Sequence, residues 1–146
     1  MLVLMCHAGN NRYAIDARSV IEVVPLVNFD TLADAPQWLA GVFAHRGAAT
    51  PLADFTLLVA GHPCPRRWNS RIILVRTEAA HMPEKIGLLA ERVTTAEIDG
   101  RTPAAPPTAM ETLGPILLDE KGMFQLVDLS QLLSADRWGP MRKRNA

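Results

Sequence analysis

Cys6, His7, His45, His62, Cys64 and His81 are the residues of this 146-residue chain that could hold a metal or attack a substrate. Cys6 and His7 are adjacent, so on a strand they point to opposite faces and cannot close on one ion. His62 and Cys64 stand at a chelating spacing. A structural zinc site normally shows two such ligand pairs, and only this one is evident. Cys6 lies in an apolar run and reads as an inert, buried thiol. Cys64 is close to Arg66 and Arg67, which would favour its thiolate, yet it sits between two prolines with no evident base. Asp54 and Asp128 could serve acid–base chemistry. Each instead precedes an apolar pair at a strand end, where a carboxylate closes a turn or caps a helix. No glycine-rich loop leads from a strand into a helix, so no phosphate cradle is expected. These residues predict no catalytic group, no metal and no cofactor. The chain reads as a binding or scaffolding module and not as an enzyme. The enzymatic alternative is a small β-barrel, metal- or thiol-dependent, that uses the His62/Cys64 loop.

Arg46 has two readings. It is either an exposed arginine in a tight turn before Gly47, or a planar donor presented beside apolar neighbours, the kind of group that anchors interfaces. Val20, Val23, Val24 and Val93 suit a core. On an outer face they would form an apolar patch that needs a partner.

Short strands separated by turns must position these residues. Leu2 to Ala8 is an apolar run stopped by Gly9-Asn10-Asn11 and resumed at Arg12-Tyr13-Ala14-Ile15-Asp16, a hairpin pattern. Val20 to Val24 is a strand ended by Pro25. Asp34 to Leu39 predicts a one-turn helix with Pro36 early in it. Strands follow at 41–45 and 50–55. Leu57-Leu58-Val59 reads as a short helix or a strand end. Residues 61–67 form a loop by their Gly and Pro content. Arg71 to Thr77 is the clearest strand, and Lys85 to Ile98 is one long or broken strand. Asp99 to Pro107 is a loop or linker. Strands at 115–118 and 123–129 flank a polar turn, and a short helix begins at Ser130, capped by Ser130 or Asp128.

Two echoes run through this order. Leu52-Ala53-Asp54-Phe55 followed by Leu57-Leu58 recurs as Leu126-Val127-Asp128-Leu129 followed by Leu132-Leu133. Tyr13-Ala14-Ile15 with Val20 recurs as Ile86-Gly87-Leu88 with Val93. Both lie about half a chain length apart, which indicates an internal duplication into two half-barrels.

Composition narrows the function further. Lys plus Arg and Asp plus Glu are 15 each, and 49% of residues are hydrophobic. Disorder is excluded on those figures, and a general polyanion-binding role is disfavoured. A nucleic-acid-binding barrel would need stacking rings and a basic groove. The chain has one Tyr and four Phe, and no excess of basic residues. Two thiols without an export signal imply a reducing compartment. The opening Met-Leu-Val-Leu-Met-Cys lacks a basic leader and reads as a first strand. No apolar stretch reaches the ~20 residues of a membrane span. A cytoplasmic location follows as the expectation.

The ordered pieces Arg12-Tyr13-Ala14-Ile15-Asp16 with Val20-Ile21-Glu22-Val23, then Ala35-Pro36-Gln37-Trp38-Leu39-Ala40-Gly41-Val42 leading to Arg46-Gly47 and Pro51-Leu52-Ala53-Asp54, resemble the CheW-like chemotaxis coupling proteins. The likeness continues through Ile86-Gly87-Leu88-Leu89 with Val93 and from Gly114-Pro115-Ile116 to Leu132-Leu133, so it spans nearly the whole chain. It implies an all-β fold of two intertwined five-stranded SH3-like barrels with short helices. One domain over 1–134 is expected, with subdomain 1 from about 1–60 plus 125–134 and subdomain 2 from about 65–124. Residues 135–146 would form a basic tail. The resemblance also implies a non-enzymatic adaptor between methyl-accepting receptors and the regulatory domain of a CheA-type histidine kinase, at the membrane-associated receptor array. A receptor tip would lie in a groove between the barrels. By position, Val20, Gly41, Arg46 and Val93 fall at the receptor contact, and Ala17, Glu22 and Ile86 at the kinase contact. The chain departs from the family at Ala44-His45 and at Ala48-Ala49, and Ala17 is small. Those departures imply a dedicated adaptor of a second pathway, such as a Wsp-type surface-sensing system.

Overall fold

The computed structural model describes residues 1–78, 82–99 and 113–134. Nine strands and two short helices are present among the described residues. In chain order they are β1 (Leu2–Ala8), β2 (Asn11–Asp16), β3 (Val20–Pro25), β4 (Leu39–His45), β5 (Ala48–Asp54), α1 (Phe55–Ala60), β6 (Ser70–Arg76), β7 (Lys85–Glu97), β8 (Ile116–Asp119), β9 (Gly122–Leu126) and α2 (Leu129–Leu132). A single 3-10 turn, Ala17–Ser19, links β2 to β3, and Asp16 accepts from the Arg18 amide to start it.

β7 joins two lobes. Its first half pairs with β6 on one side and with β5 on the other, and β3 and β4 extend that lobe. Its second half pairs with β1, and the chain of pairing continues through β2 and β9 to β8. The register slips between Met5 and His7 of β1, and opposite the slip Arg92 has a positive φ of 55°. This bulge lets one strand serve both lobes, because an extra residue bends the strand and raises its twist.

Side-chain alternation then fills three clusters. Phe43, Leu52, Ile72, Leu74 and Leu89 fill the first lobe. Val3, Met5, Ala14, Leu117 and Phe124 fill the second. The largest cluster lies between them and takes Leu4, Cys6, Tyr13, Ile15, Phe55, Ile73, Val75, Ile86, Leu88 and Leu132. Even-numbered and odd-numbered residues of β1, β2, β6 and the first half of β7 thus enter different clusters, as the period of two requires, and the bulge at Arg92 shifts that parity so that Val93 also packs on the central cluster.

The strand pairing groups the chain into its two lobes as follows. The first hairpin, β1–β2, belongs with β8 and β9, while β3 to β6 form the other lobe with the start of β7. The cause is the swap of parallel pairs. Leu52 of β5 sits beside Gly87 of β7, and Leu126 of β9 sits beside Ala14 of β2. The expected helix over 34–39 is also absent. Turns occur at 33–34 and 37–38, and Leu39 then enters β4. Residues 57–59 are helical, and the long strand over 85–97 is both continuous and bulged. The predicted strand over 123–129 stops at Leu126, because Asp128 turns the chain into α2. The expected basic tail, and the linker from residue 100 on, lie outside the described residues.

Asp54 and Asp128 are equivalent caps. Their backbones are at φ −87°, ψ 99° and φ −87°, ψ 106°, and each carboxylate accepts a backbone amide of the following helix. Asp54 does more. It is buried, and besides Leu57 N it accepts from Cys64 N at 3.0 and 3.2 Å. Removing a cap typically costs about 1 kcal/mol, and an unpaired buried amide adds about 1–3 kcal/mol. Asp54→Ala is therefore expected to lower unfolding free energy by about 2–4 kcal/mol and Asp128→Ala by about 1 kcal/mol. Urea titrations of the two variants check the ranking.

Candidate protein-interaction site

β3 is an edge strand of its lobe, paired only to β6. Its residues alternate between half-buried and exposed, which leaves Ile21 and Val23 on the outside and turns Glu22 toward the β4–β5 hairpin. That hairpin closes with a two-residue loop, Arg46-Gly47, between the paired residues His45 and Ala48. Both loop residues have positive φ, at 50° and 79°. Two-residue hairpins favour such turns because their twist matches that of the strands. Glycine tolerates the position, and an arginine there is unusual.

The hairpin end and β3 meet in a polar network. Glu22 Oε1 accepts from His45 Nε2 at 2.9 Å and from Arg46 Nη2 at 3.1 Å. Lys85 Nζ donates to His45 Nδ1 at 3.0 Å. An ammonium can only donate, so Nδ1 is the acceptor and Nε2 carries the proton. The His45 bond, helped by the Arg46 guanidinium, holds the Glu22 carboxyl below the usual carboxylate range. His45 is buried, whereas the Arg46 side chain is 77% exposed. Only one of its five donors is used among the contacts seen here.

The other predicted site residues scatter. Val20 opens β3 opposite Val75, and Val93 follows the Arg92 bulge. Both are half-buried against the central cluster. Both border that one cluster. Gly41 is buried in β4. A Cβ there would overlap the Asp30 carbonyl and the Phe29 ring, where Asp30 and Val42 exchange two backbone hydrogen bonds. Its role is to admit that close approach. Ala17 lies half-buried in the 3-10 turn beside Met1, Leu2, Asp16 and Arg18, which line a shallow depression.

Ile86 is the third residue expected at the kinase contact. It is 0% exposed, inside the central cluster, because β7 is covered on both faces between Ile86 and Ala90. Sequence reasoning also assigned Glu22 and Arg46 to different partners, and the structure joins them in one ion pair. Lys85 was missed, and His45 was weighed only as a metal ligand. No local signal marks either, since the network needs β3, β4 and β7 side by side.

No group of three His, Cys, Asp or Glu converges among the described residues. His62 is exposed and turns to the Pro63 carbonyl at 3.3 Å, while the Cys64 thiol donates to the Pro65 carbonyl. His81 lies outside the described residues. No helix among them is long and apolar enough to cross a membrane.

The family model for the CheW-like domain matches residues 2–137. The chain belongs to the CheW-like family. Its fold is similar to that of the scaffolding protein TtCheW from Thermoanaerobacter tengcongensis, with a TM-score of 0.76 and 22% identity over 91% of this chain and 87% of that one. No curated protein matches the chain. The CheW-like fold accounts for the two-lobed sheet, and the mostly β architecture expected from the sequence is what is found.

Two predictions follow from these environments. Burial pushes the Cys6 thiol up to about 12 and the Cys64 thiol up to about 11. Neither forms a thiolate at neutral pH, so both should resist iodoacetamide in the folded chain and react only after unfolding. Mass spectrometry of the alkylated native protein reads this, and fast labelling of Cys64 would contradict it. For Glu22, a depressed carboxyl contributes stability above its unfolded pKa and loses it as pH falls through the folded one. The His45–Glu22 contact should therefore persist at neutral pH and break below the ordinary carboxylate range. Glu22→Gln should remove that acid limb from a pH titration of the His45 ring resonances.

Proposed function

We propose that this CheW-like chain is a non-enzymatic chemosensory adaptor that couples methyl-accepting receptors to a CheA-type histidine kinase. Family membership over residues 2–137 carries the reading. The solved structure of similar fold is a scaffolding protein, which supports it. So does the chemistry of the site, which offers a protruding arginine and half-exposed valines but no activated nucleophile. The receptor side is assigned to Val20, Arg46 and Val93, with Gly41 acting through the backbone it admits. The kinase side is assigned to Ala17 and Glu22, with exposed Met1 and Leu2 beside Ala17. Ile86 acts only by packing. The Glu22–Arg46 pair makes the two surfaces contiguous, so a partner that engages Arg46 competes with Glu22. The location that follows is the cytoplasmic receptor array. The departures at Ala44-His45 and Ala48-Ala49 favour a pathway apart from flagellar chemotaxis.

Arg46 is exposed and its ion pair is open to solvent, so charge reversal leaves the fold intact. Arg46→Glu should weaken binding to a receptor cytoplasmic fragment by about tenfold or more with an unchanged thermal midpoint. Titration calorimetry and a melting curve test this, and unchanged affinity would remove Arg46 from the site. Val20 packs on the central cluster, so Val20→Asp should lower the melting temperature as well as the affinity. The kinase that co-purifies from native cytoplasm decides the pathway. A flagellar-motility kinase would overturn the second-pathway assignment and leave the adaptor intact.

A further inference from the structure

The corner of lobe one opposite Arg46 carries a second surface. Trp68 is 87% exposed, more than any other large apolar residue described. It stands in the loop between α1 and β6, next to Arg66 and Arg67 and three residues before Arg71. The Arg92 amide donates to the Asn69 carbonyl at 3.1 Å, which ties the loop to the bulge of β7. None of Arg66, Arg67 and Arg71 has a carboxylate within ion-pair distance among the described residues, whereas Arg12, Arg18 and Arg46 each hold one.

The loop is braced. Cys64 N is held by the Asp54 carboxylate, and Ser70 Oγ donates to the Pro65 carbonyl and accepts from Arg67 N. Arg71 Nη1 donates to the Trp68 carbonyl at 2.7 Å, and the Arg66 guanidinium lies 4.5 Å from the centre of the Phe29 ring. The indole is therefore displayed by a fixed backbone, so little ordering cost falls on binding. Trp and Arg are the residue types that dominate interface energies.

We propose that this corner, Arg66, Arg67 and Trp68 with Arg71 as brace, is a docking surface for an acidic segment of a partner protein. Charge complementarity selects the occupant: uncompensated guanidinium groups call for carboxylates, and the indole for one apolar side chain beside them. A nucleic acid is a poorer fit, since a single ring gives no run of stacking platforms and the chain has no net charge. A lipid surface is a poorer fit too, because Trp68 alone would insert. Six residues of β6 separate this corner from the strand end near Lys85, about 20 Å at strand rise. The proposal stands independently of the receptor and kinase assignments at Arg46.

The test uses the full, isotope-labelled chain and a synthetic amphipathic peptide with Glu on one face and Leu on the other. The same peptide with Gln for Glu, an oligothymidine and phosphatidylserine vesicles are titrated in parallel. The Glu peptide is expected to shift the Trp68 indole N–H and the amides of residues 66–71, with an affinity that falls as salt rises. Arg66→Glu with Arg67→Glu should weaken it about tenfold or more, and Trp68→Ala should do so while leaving the salt dependence in place, both with unchanged melting. Equal binding of the Gln peptide, shifts confined to other residues, or no shift would overturn the proposal. So would stronger binding of the oligothymidine or the vesicles, or self-association of the chain that the same variants abolish.

Discussion

Four strands of this chain feed two cores at once, and the whole architecture depends on it. On β6, Ile72 and Leu74 enter the first lobe, while Ile73 and Val75 enter the cluster between the lobes. On β1, Val3 and Met5 serve the second lobe, and Leu4 and Cys6 serve the same central cluster. An ordinary half-solvated sheet shows apolar and polar residues in alternation. Here both faces are apolar, so Arg71 to Thr77 and Leu2 to Ala8 read as nearly unbroken apolar runs. Burying a large aliphatic side chain is worth about 1.5–3 kcal/mol, and the central cluster collects such gains from both lobes. That makes the lobes one cooperative unit.

The same constraint explains why β7 must be long and bent. A straight strand could not lie against β5 and β6 at one end and β1 at the other. The bulge at Arg92 supplies the bend, at the energetic cost of a non-glycine residue in the left-handed region. Small residues stand where the parallel partners cross: Gly87 beside Leu52, and Ala14 beside Leu126. A Cβ on Gly87 would crowd Ile72 and Phe43 at 2.8 Å. These two positions are also counterparts in the sequence echo. Each parallel pair therefore joins the opening strand of one copy to the closing strand of the other, which is the physical content of the intertwining.

Local chemistry was legible in the sequence, and cross-chain assembly was not. The hairpin turns, the caps at Asp54 and Asp128 and the long strand over 85–97 were all readable, because each is written in residues adjacent to one another. The false helix over 34–39 came from a proline and a turn residue that fit a helix start equally well. With Asp34 at a positive φ of 59°, the backbone turns there instead. The grouping of strands into lobes was hidden for a different reason. The echo was visible, yet nothing in two matched segments says whether each copy pairs within itself or with the other. The full burial of Ile86 was hidden by the same blind spot: it looked like any strand residue, and only β7's shared position buries both of its faces.

The network at the β3 edge shows how that assembly shapes the candidate site. Arg46 alone is an exposed arginine in a strained turn, and long surface side chains sample many rotamers at little penalty. Glu22 reduces that freedom by accepting from Nη2, and His45 fixes Glu22 in turn, buried and oriented by the Lys85 ammonium. Three strands distant in sequence thus converge on one guanidinium. The chain of bonds runs from β7, which both lobes share, through β4 to the edge strand β3. The site's geometry is therefore anchored to the element that also anchors the fold. A change that loosens the lobes should disturb Arg46 even without touching it, because Lys85 opens β7 immediately before the buried run from Ile86 to Ala90.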